Sequence, residues 1–313
     1  MYNKAFDLKT MDESVLITGG SGLIGRYLTS ELLTQGYSVS HLSRGPAQFG
    51  RVRVHRWDPV KKILDPEILN GVSYIVHLSG ANIGEKRWSA KRKKEIISSR
   101  VDSLKLLHEV ILAKRIRLKA LISASASGIY GSICSDRIFS EEEDAADDFL
   151  GKTCRLWEEA AGLFRDCSDR VVKIRTGVVL EKNDSALSRL LVPARAGIFP
   201  VLGGGKQYMP WIHIRDLVKI YAKALGNAQM DGPYNAVSPH HVTHREFMSA
   251  LAKAMNKPFF NPPVPGFILR AILGEMSDVI LKGSRISSDK IINAGYLFEF
   301  DNLHDALTDA LKA

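Results

Sequence analysis

Val15-Leu16-Ile17-Thr18-Gly19-Gly20-Ser21-Gly22-Leu23-Ile24-Gly25-Arg26 is the stretch on which the fold of this chain turns. Val15 to Ile17 is a short apolar run of the kind that forms a buried parallel strand. Glycines break it, and Leu23, Ile24, Tyr27, Leu28, Leu32 and Leu33 then recur at helical spacing. Strand, tight turn and helix follow in the order that a dinucleotide-binding turn requires. Gly19 suits the turn, Gly22 lets the backbone approach a pyrophosphate, and Gly25 lets helix and strand pack closely. The helix start offers unpaired N–H groups and the positive end of its dipole. Gly20, Ser21, Leu23 and Ile24 therefore join the three glycines as cofactor-binding candidates.

Working outward, Gly36 ends the helix and Tyr37 to Leu42 reads as a second strand. A NAD-preferring site would place an acidic residue at its end, on the ribose 2′-OH. Ser43-Arg44 stands there instead. A hydroxyl and a guanidinium fork suit a 2′-phosphate, so the expected cofactor is NADP. The alternative for Arg44 is an exposed loop residue. Val52 to Trp57 reads as a third strand, and Asp58 either lies near the adenine or makes a surface turn before Pro59. Tyr74 to Leu78 runs into Ser79-Gly80-Ala81-Asn82, a small-residue turn at the carboxyl edge of the sheet, where open α/β sheets bind ligands.

Further strands are expected at Leu118 to Ser123 and Val171 to Ile174, with a helix over 150–165. This alternation from 14 to 180 calls for an α/β fold with a parallel, doubly wound sheet and right-handed crossovers. The acidic stretch Glu141-Glu142-Glu143-Asp144 with Asp147-Asp148 reads as a solvated loop. Beyond 180 the pattern changes. Pro193 to Pro210 is rich in glycine and proline, and Trp211 to Asp216 leads into a helix over Leu217 to Leu225. Tyr234 to Val237 reads as a strand, and Thr243-His244-Arg245-Glu246 is a capping box. A small helical region with one strand near Tyr296 to Phe300 completes the chain. Residues 1–13 are unpatterned and read as a loose extension.

The 313 residues are 45% hydrophobic, enough for a sizeable core. No apolar run reaches membrane-spanning length, and no basic-then-apolar leader opens the chain. Cys134, Cys154 and Cys167 lack metal-ligand spacing and read as reduced thiols. A soluble, cytoplasmic protein without a membrane partner is expected. The net charge of +9 is compatible with an anionic cofactor or with nucleic acid. The basic segment from Lys86 to Lys105 is an amphipathic helix with a basic outer face, one or two of whose cations reach inward. Only Trp88 offers an interleaved aromatic, so no nucleic-acid partner is expected. His240, His241 and His244 have no supporting ligands, and no metal is expected.

These stretches resemble the extended branch of the short-chain dehydrogenase/reductase superfamily, which includes sugar-nucleotide epimerases. Thr18-Gly19-Gly20-Ser21-Gly22-Leu23-Ile24-Gly25 is similar to its phosphate-binding fingerprint. More narrowly, the chain resembles an atypical epimerase-like group that ends in a small domain of unknown function. Ser43-Arg44, Trp57-Asp58, Leu78 to Ile83, Arg87-Trp88, Ser99-Arg100, Gly128 to Gly131, Trp157-Glu158, Arg175 to Leu180 and Trp211 to Leu217 carry that likeness. The resemblance implies a Rossmann-type NADP domain over 14–180 plus 208–237. A mainly helical substrate domain over 181–207 plus 238–313 would complete it. Leu78, Ser79 and Gly80 would line the cofactor, and Arg100 takes a position where relatives often carry a cofactor-facing Asn.

The departure lies in the catalytic triad. Active relatives use a Ser or Thr to polarise the substrate, a Tyr as acid/base, and a Lys four residues later that lowers the Tyr pKa and holds the ribose. Ala126, Leu150 and Cys154 occupy those positions here. None can serve the usual role, and Cys154 remains only as a cofactor-site residue. Tyr130 and Ser125 are the substitute catalytic candidates. The expected function is an NADP-dependent oxidoreductase or epimerase-like enzyme for a small carbonyl or hydroxyl substrate, such as a sugar nucleotide. A non-catalytic NADP-binding sensor or scaffold is the alternative. Extended relatives are often homodimers; no stretch of this sequence decides that.

Overall fold

The computed structural model describes residues 13–45, 50 and 52–312. The expected N-terminal extension lies outside the described residues except for Glu13, whose carboxylate accepts from Tyr74 Oη at 3.2 Å and Lys119 Nζ at 2.6 Å.

One large sheet organises the molecule. Its strands are β1 Ser14–Thr18, β2 Ser38–Ser43, β3 Arg53–Asp58, β4 Ile63–Leu64, β5 Val72–His77, β6 Ala120–Ala126, β7 Val171–Thr176 and β8 Gly232–Ala236. They lie in the order β8-β7-β6-β5-β1-β2-β3-β4, and every pairing is parallel except the short β3–β4 hairpin. Val15, Leu16, Ile17, Ile75, Val76, Leu121, Ile122, Val171 and Val172 are fully buried, as strands covered on both faces must be. Helices α1 Leu23–Thr34, α2 Ala90–Ala113 and α3 Phe149–Gly162 supply crossovers. After α4 Ala186–Arg195 come α5 Ile214–Gly226 and α6 His244–Ala254. α1 packs on α5, and α2 packs on α3. Right-handed crossovers leaving β1 and β5 in opposite directions put these pairs on opposite faces.

The expected doubly wound α/β fold is present, and most expected strands start or stop within one or two residues of the observed ones. The capping box at Thr243 is also formed, with Glu246 accepting from the Thr243 N–H at 2.7 Å. A second core beside the sheet unites Leu187, Leu191, Phe199, Phe247, Leu251 and Leu307.

Two expectations are corrected. No strand forms at Tyr296 to Phe300. There the N–H groups of Glu299 and Phe300 donate to the buried Asp216 carboxylate at 2.8 and 3.0 Å, so the backbone's hydrogen bonds go to a side chain. The acidic stretch is not simply a solvated loop. Glu141 is buried, and its carboxylate accepts from the Asn235 N–H at 2.7 Å, while Asp148 caps α3 through the Gly151 N–H. Just before it, Ser135–Phe139 pairs in parallel with Ser284–Ile286, a contact no local pattern announces. Beyond 180, the helix α4 takes Ser185 as its N-cap and holds Pro193, the first residue of the glycine- and proline-rich stretch.

Four buried histidines make the fold acid-sensitive. Burial lowers His77 to about 3 and His244 to about 4, and lowers His41 and His213 from the ordinary 6.5. Each is neutral when folded and takes up a proton on unfolding below its ordinary value. Their stabilising contribution is complete above about pH 6.5 and declines as pH falls toward 4. Chemical unfolding midpoints should therefore drop between pH 6.5 and 5, before most carboxylates titrate; a flat profile over that interval would refute the assignment.

Candidate functional site

The crevice opens between β1 and β5, the neighbours from which the crossovers leave in opposite directions, the topological switch point of such sheets. Thr18, buried at the end of β1, joins the two edges: its Oγ1 accepts from the N–H groups of Leu78 and Ser79, both at 3.2 Å. Gly19 has φ +73°, and a Cβ on it would lie 3.1 Å from the Leu78 carbonyl and the Ser79 nitrogen. A Cβ on Gly20 would lie 2.4–2.5 Å from atoms of the His41 ring. That ring is held by Thr29 Oγ1 at 2.8 Å. A Cβ on Gly25 would come within 2.5–2.7 Å of Gly19 and Gly20 backbone.

Gly22 is the N-cap of α1 and brings no side-chain cap. Its own N–H turns back to the Gly19 carbonyl at 3.0 Å. Ser21 and Gly22 are exposed, and Leu23 and Ile24 in the first turn are partly so. A shallow backbone cradle with an uncapped, unacidified helix start is thus open to solvent, which is what a diphosphate needs.

At the end of β2, Ser43 is half-buried and Arg44 exposed. Hydrogen bonding from Arg92 chiefly holds the Glu95 carboxylate low, with the charges of Arg92, Lys86 and Arg44 adding to it. Asp58 makes the turn that the sequence left open: its Oδ1 accepts from Val60 and Lys61 N–H at 3.0 and 3.1 Å. Of the basic helix, two arginines turn inward. Arg92 is buried and paired with Glu85 and Glu95. Arg100 lies under the turn after β5, where a Cβ on Gly80 would be 2.9 Å from its Cζ. The glycine at 80 therefore makes room for a guanidinium.

Ala126, Leu150 and Cys154 surround one spot. Ala126 ends β6, and a Cβ on Gly128, in the turn that follows, would touch Leu150 Cβ at 3.4 Å and Cys154 Sγ at 3.9 Å. Burial, with Glu158 adding to it, pushes the Cys154 thiol up to about 12, so it is neither a nucleophile nor a cation at neutral pH.

Ser125 and Tyr130 sit behind that spot in a buried polar network. Ser125 Oγ donates to Glu158 Oε1 at 2.7 Å, and Arg175 spans Glu158 with Nε–Oε1 at 2.9 Å and Nη2–Oε2 at 3.1 Å. Tyr130 Oη donates to Asn235 Oδ1 at 2.7 Å and accepts from Arg175 Nη1 at 3.0 Å. Both residues are 3% exposed, and both hydroxyls are engaged within this network. Burial pushes Tyr130 up to about 12 against the pull of Arg175. No local sequence pattern joins Glu158, Arg175, Asn235 and Glu141 into a unit. The available signal was charge inside apolar elements, Arg175 in Val171–Thr176 and Glu158 after Trp157. His213 accepts from the Arg215 N–H at 3.2 Å and caps α5, while His240 and His241 bond backbone carbonyls.

Comparison with known proteins agrees with this geometry. A family model described as the NAD dependent epimerase/dehydratase family matches residues 15–155, and a domain of unknown function, DUF1731, matches residues 264–310. An epimerase family protein of Bacillus subtilis is 32% identical over 300 residues, 95% of this chain and 98% of its own length. One from Mycobacterium bovis is 34% identical, covering 94% of this chain and 96% of its own. The crystal structure of human epimerase family protein SDR39U1 with NADPH superposes with a TM-score of 0.86 at 30% identity, over 96% of this chain and 99% of that one. MoeE5 in complex with UDP-glucose and NAD, at 21% identity, shares the fold with a TM-score of 0.78 over 96% of this chain and 97% of its own.

Proposed function

Because this chain belongs to the NAD-dependent epimerase/dehydratase family, we propose that it binds NADP(H) across the β1–β5 crevice. We infer an oxidoreductase or epimerase-like activity on a small carbonyl or hydroxyl compound, with a sugar nucleotide as the first class to try. The uncapped start of α1 behind a turn that only glycine can form carries this reading. The NADPH in the human relative's crystal structure supports it. Gly19, Gly20, Ser21, Gly22, Leu23, Ile24 and Gly25 would cradle the diphosphate, and Leu78, Ser79 and Gly80 would form the facing wall. The bound nicotinamide would supply hydride exchange with the substrate carbon. The substrate would lie between the carboxyl edge of the sheet and the region built from 181–207 and 238–313, which packs around the second core together with Leu180 and Trp211.

Within this reading Ser125 and Tyr130 shape and stiffen the crevice wall. Their protons are already donated to Glu158 and Asn235. Proton exchange with substrate then falls to water or to a group the substrate brings, which favours slow turnover, since positioned acid–base groups contribute about 10²–10⁴-fold. Following NADPH absorbance with a carbonyl and sugar-nucleotide panel tests the enzyme reading. Tight NADPH binding with no turnover on any of them would leave the sensor or scaffold function.

The choice of NADP rests on Ser43 and Arg44. Arg44→Ala should weaken NADPH binding about 10- to 100-fold, the value of a charge-assisted contact to phosphate, and leave NADH unchanged. Equal affinities of the unaltered protein for NADPH and NADH would overturn the assignment.

A further inference from the structure

Four arginines are drawn into the body of the protein along α2 and the sheet, and three of them have both Nη atoms engaged. Arg92 faces Glu85 and Glu95 at 3.0 and 2.8 Å. Arg175 is bidentate on Glu158. Arg170 gives its two Nη atoms to the carbonyl oxygens of Ala224 and Leu225 at the end of α5 and of Met230 beyond it.

Arg100 differs. Both of its hydrogen bonds leave from Nη1, to the Ala81 and Ile96 carbonyls at 3.1 and 2.9 Å. Its guanidinium lies 4.9 Å from the Trp157 ring centroid. No carboxylate pairs with it among the described residues, and Nε and Nη2 have no acceptor there. The Nε–Nη2 edge is the planar fork that matches a phosphate or carboxylate in bidentate fashion. A cation taken from water needs a counter-charge, and two carbonyls and one ring supply only part of it.

From this we propose that Arg100 is a bidentate seat for an oxyanion in the crevice, a phosphate or carboxylate oxygen pair delivered by a bound nucleotide. The seat is prepared on three sides. Nη1 is tied back to two carbonyls, Trp157 supports the plane from beneath, and the missing Cβ of Gly80 leaves the guanidinium room beside the turn that walls the crevice. Burial above all, with Arg92 adding to it, brings the guanidinium down to about 10, the direction expected of a cation awaiting its counter-ion. Cys154, a buried neutral thiol, adds no competing cation from α3. The oxyanion has two sources, the pyrophosphate of the dinucleotide or the diphosphate of a nucleotide substrate, and both present the same oxygen pair.

The inference rests on the nucleotide-binding reading, and the test separates the two. Affinities for NADPH and for UDP are measured by calorimetry on the unaltered chain, on Arg100→Lys and on Arg100→Met. A loss of about 10- to 100-fold for NADPH in Arg100→Met places the cofactor's pyrophosphate on the fork. The same loss for UDP, with NADPH unchanged, places a substrate diphosphate there. Arg100→Lys keeps the charge and removes the fork, so its affinity should fall between the two, and it carries the test if Arg100→Met fails to fold. Unchanged affinities for both ligands in both variants would overturn the seat while leaving nucleotide binding intact. Failure of the unaltered chain to bind either ligand would instead remove the nucleotide reading and the seat with it.

Discussion

Gly25→Val should abolish measurable dinucleotide binding while the sheet remains largely folded. A Cβ at 25 would sit 2.5 Å from the Gly19 carbonyl oxygen and 2.6 Å from Gly20 Cα. Both are backbone atoms, so no rotamer change relieves the clash. Either α1 moves off β1 or the glycine turn opens, and each outcome moves the cradle away from the helix start. Overpacking of this kind costs about 1–3 kcal/mol, and the misplaced N–H groups come on top of it. The NADPH affinity should fall by about 100-fold or more. Fluorescence titration reads the affinity, and circular dichroism reports whether the fold survives. A folded Gly25→Val chain that binds NADPH as the unaltered one does would mean the dinucleotide lies elsewhere.

The largest expected loss of stability comes from Glu158→Gln. Glu158 is 8% exposed and faces Arg175 at 2.9 Å, Lys173 at 3.9 Å and the Ser125 hydroxyl at 2.7 Å. Burial pulls Arg175 down, but the Glu158 hydrogen bond and charge outweigh it and hold the guanidinium charged. Lys173 is lowered by burial, with Glu158 again opposing. Gln keeps the shape and one acceptor but removes the carboxylate that both cations face, a break worth about 3–5 kcal/mol in buried pairs. Urea midpoints at pH 7 measure it. A cost under about 1 kcal/mol, as for an exposed pair, would show that water reaches this network. Replacing Glu158 and Arg175 together by apolar residues should recover part of the loss, since the unpaired charge and not the missing bridge dominates.

What could be read in the sequence was local. Gly19 to Gly25 announced strand, turn and helix because each glycine is demanded by a neighbour within a few residues or by the strand alongside. Thr243 and Glu246 announced a helix start because a capping box closes within four residues. The parallel strands were visible as apolar runs because both faces are covered. Asp216 could not be read in this way. Its carboxylate gathers the backbone of residues more than eighty positions later, and that bond replaces a strand where the pattern Tyr296 to Phe300 suggested one. Arg100 looked like one cation in a basic run. Only the turn at Gly80, across the crevice edge, separates it from its solvated neighbours. The positions Ala126, Leu150 and Cys154 were found by resemblance, and their meeting around Gly128 is a tertiary fact. The network behind them escaped for the same reason: Ser125, Tyr130, Glu158, Arg175 and Asn235 come from five separate elements.

The strand Ser135–Phe139 has its partner at Ser284–Ile286, nearly half the chain away. During synthesis it must wait, its hydrogen-bonding edge open, until its distant partner has been made. Domains that depend on such distant pairings form slowly, and an open edge invites the wrong partner in the meantime. A chain cut just before Ser284 should therefore aggregate on refolding where the unaltered chain does not, as light scattering would read; equal scattering would show that the pairing is dispensable.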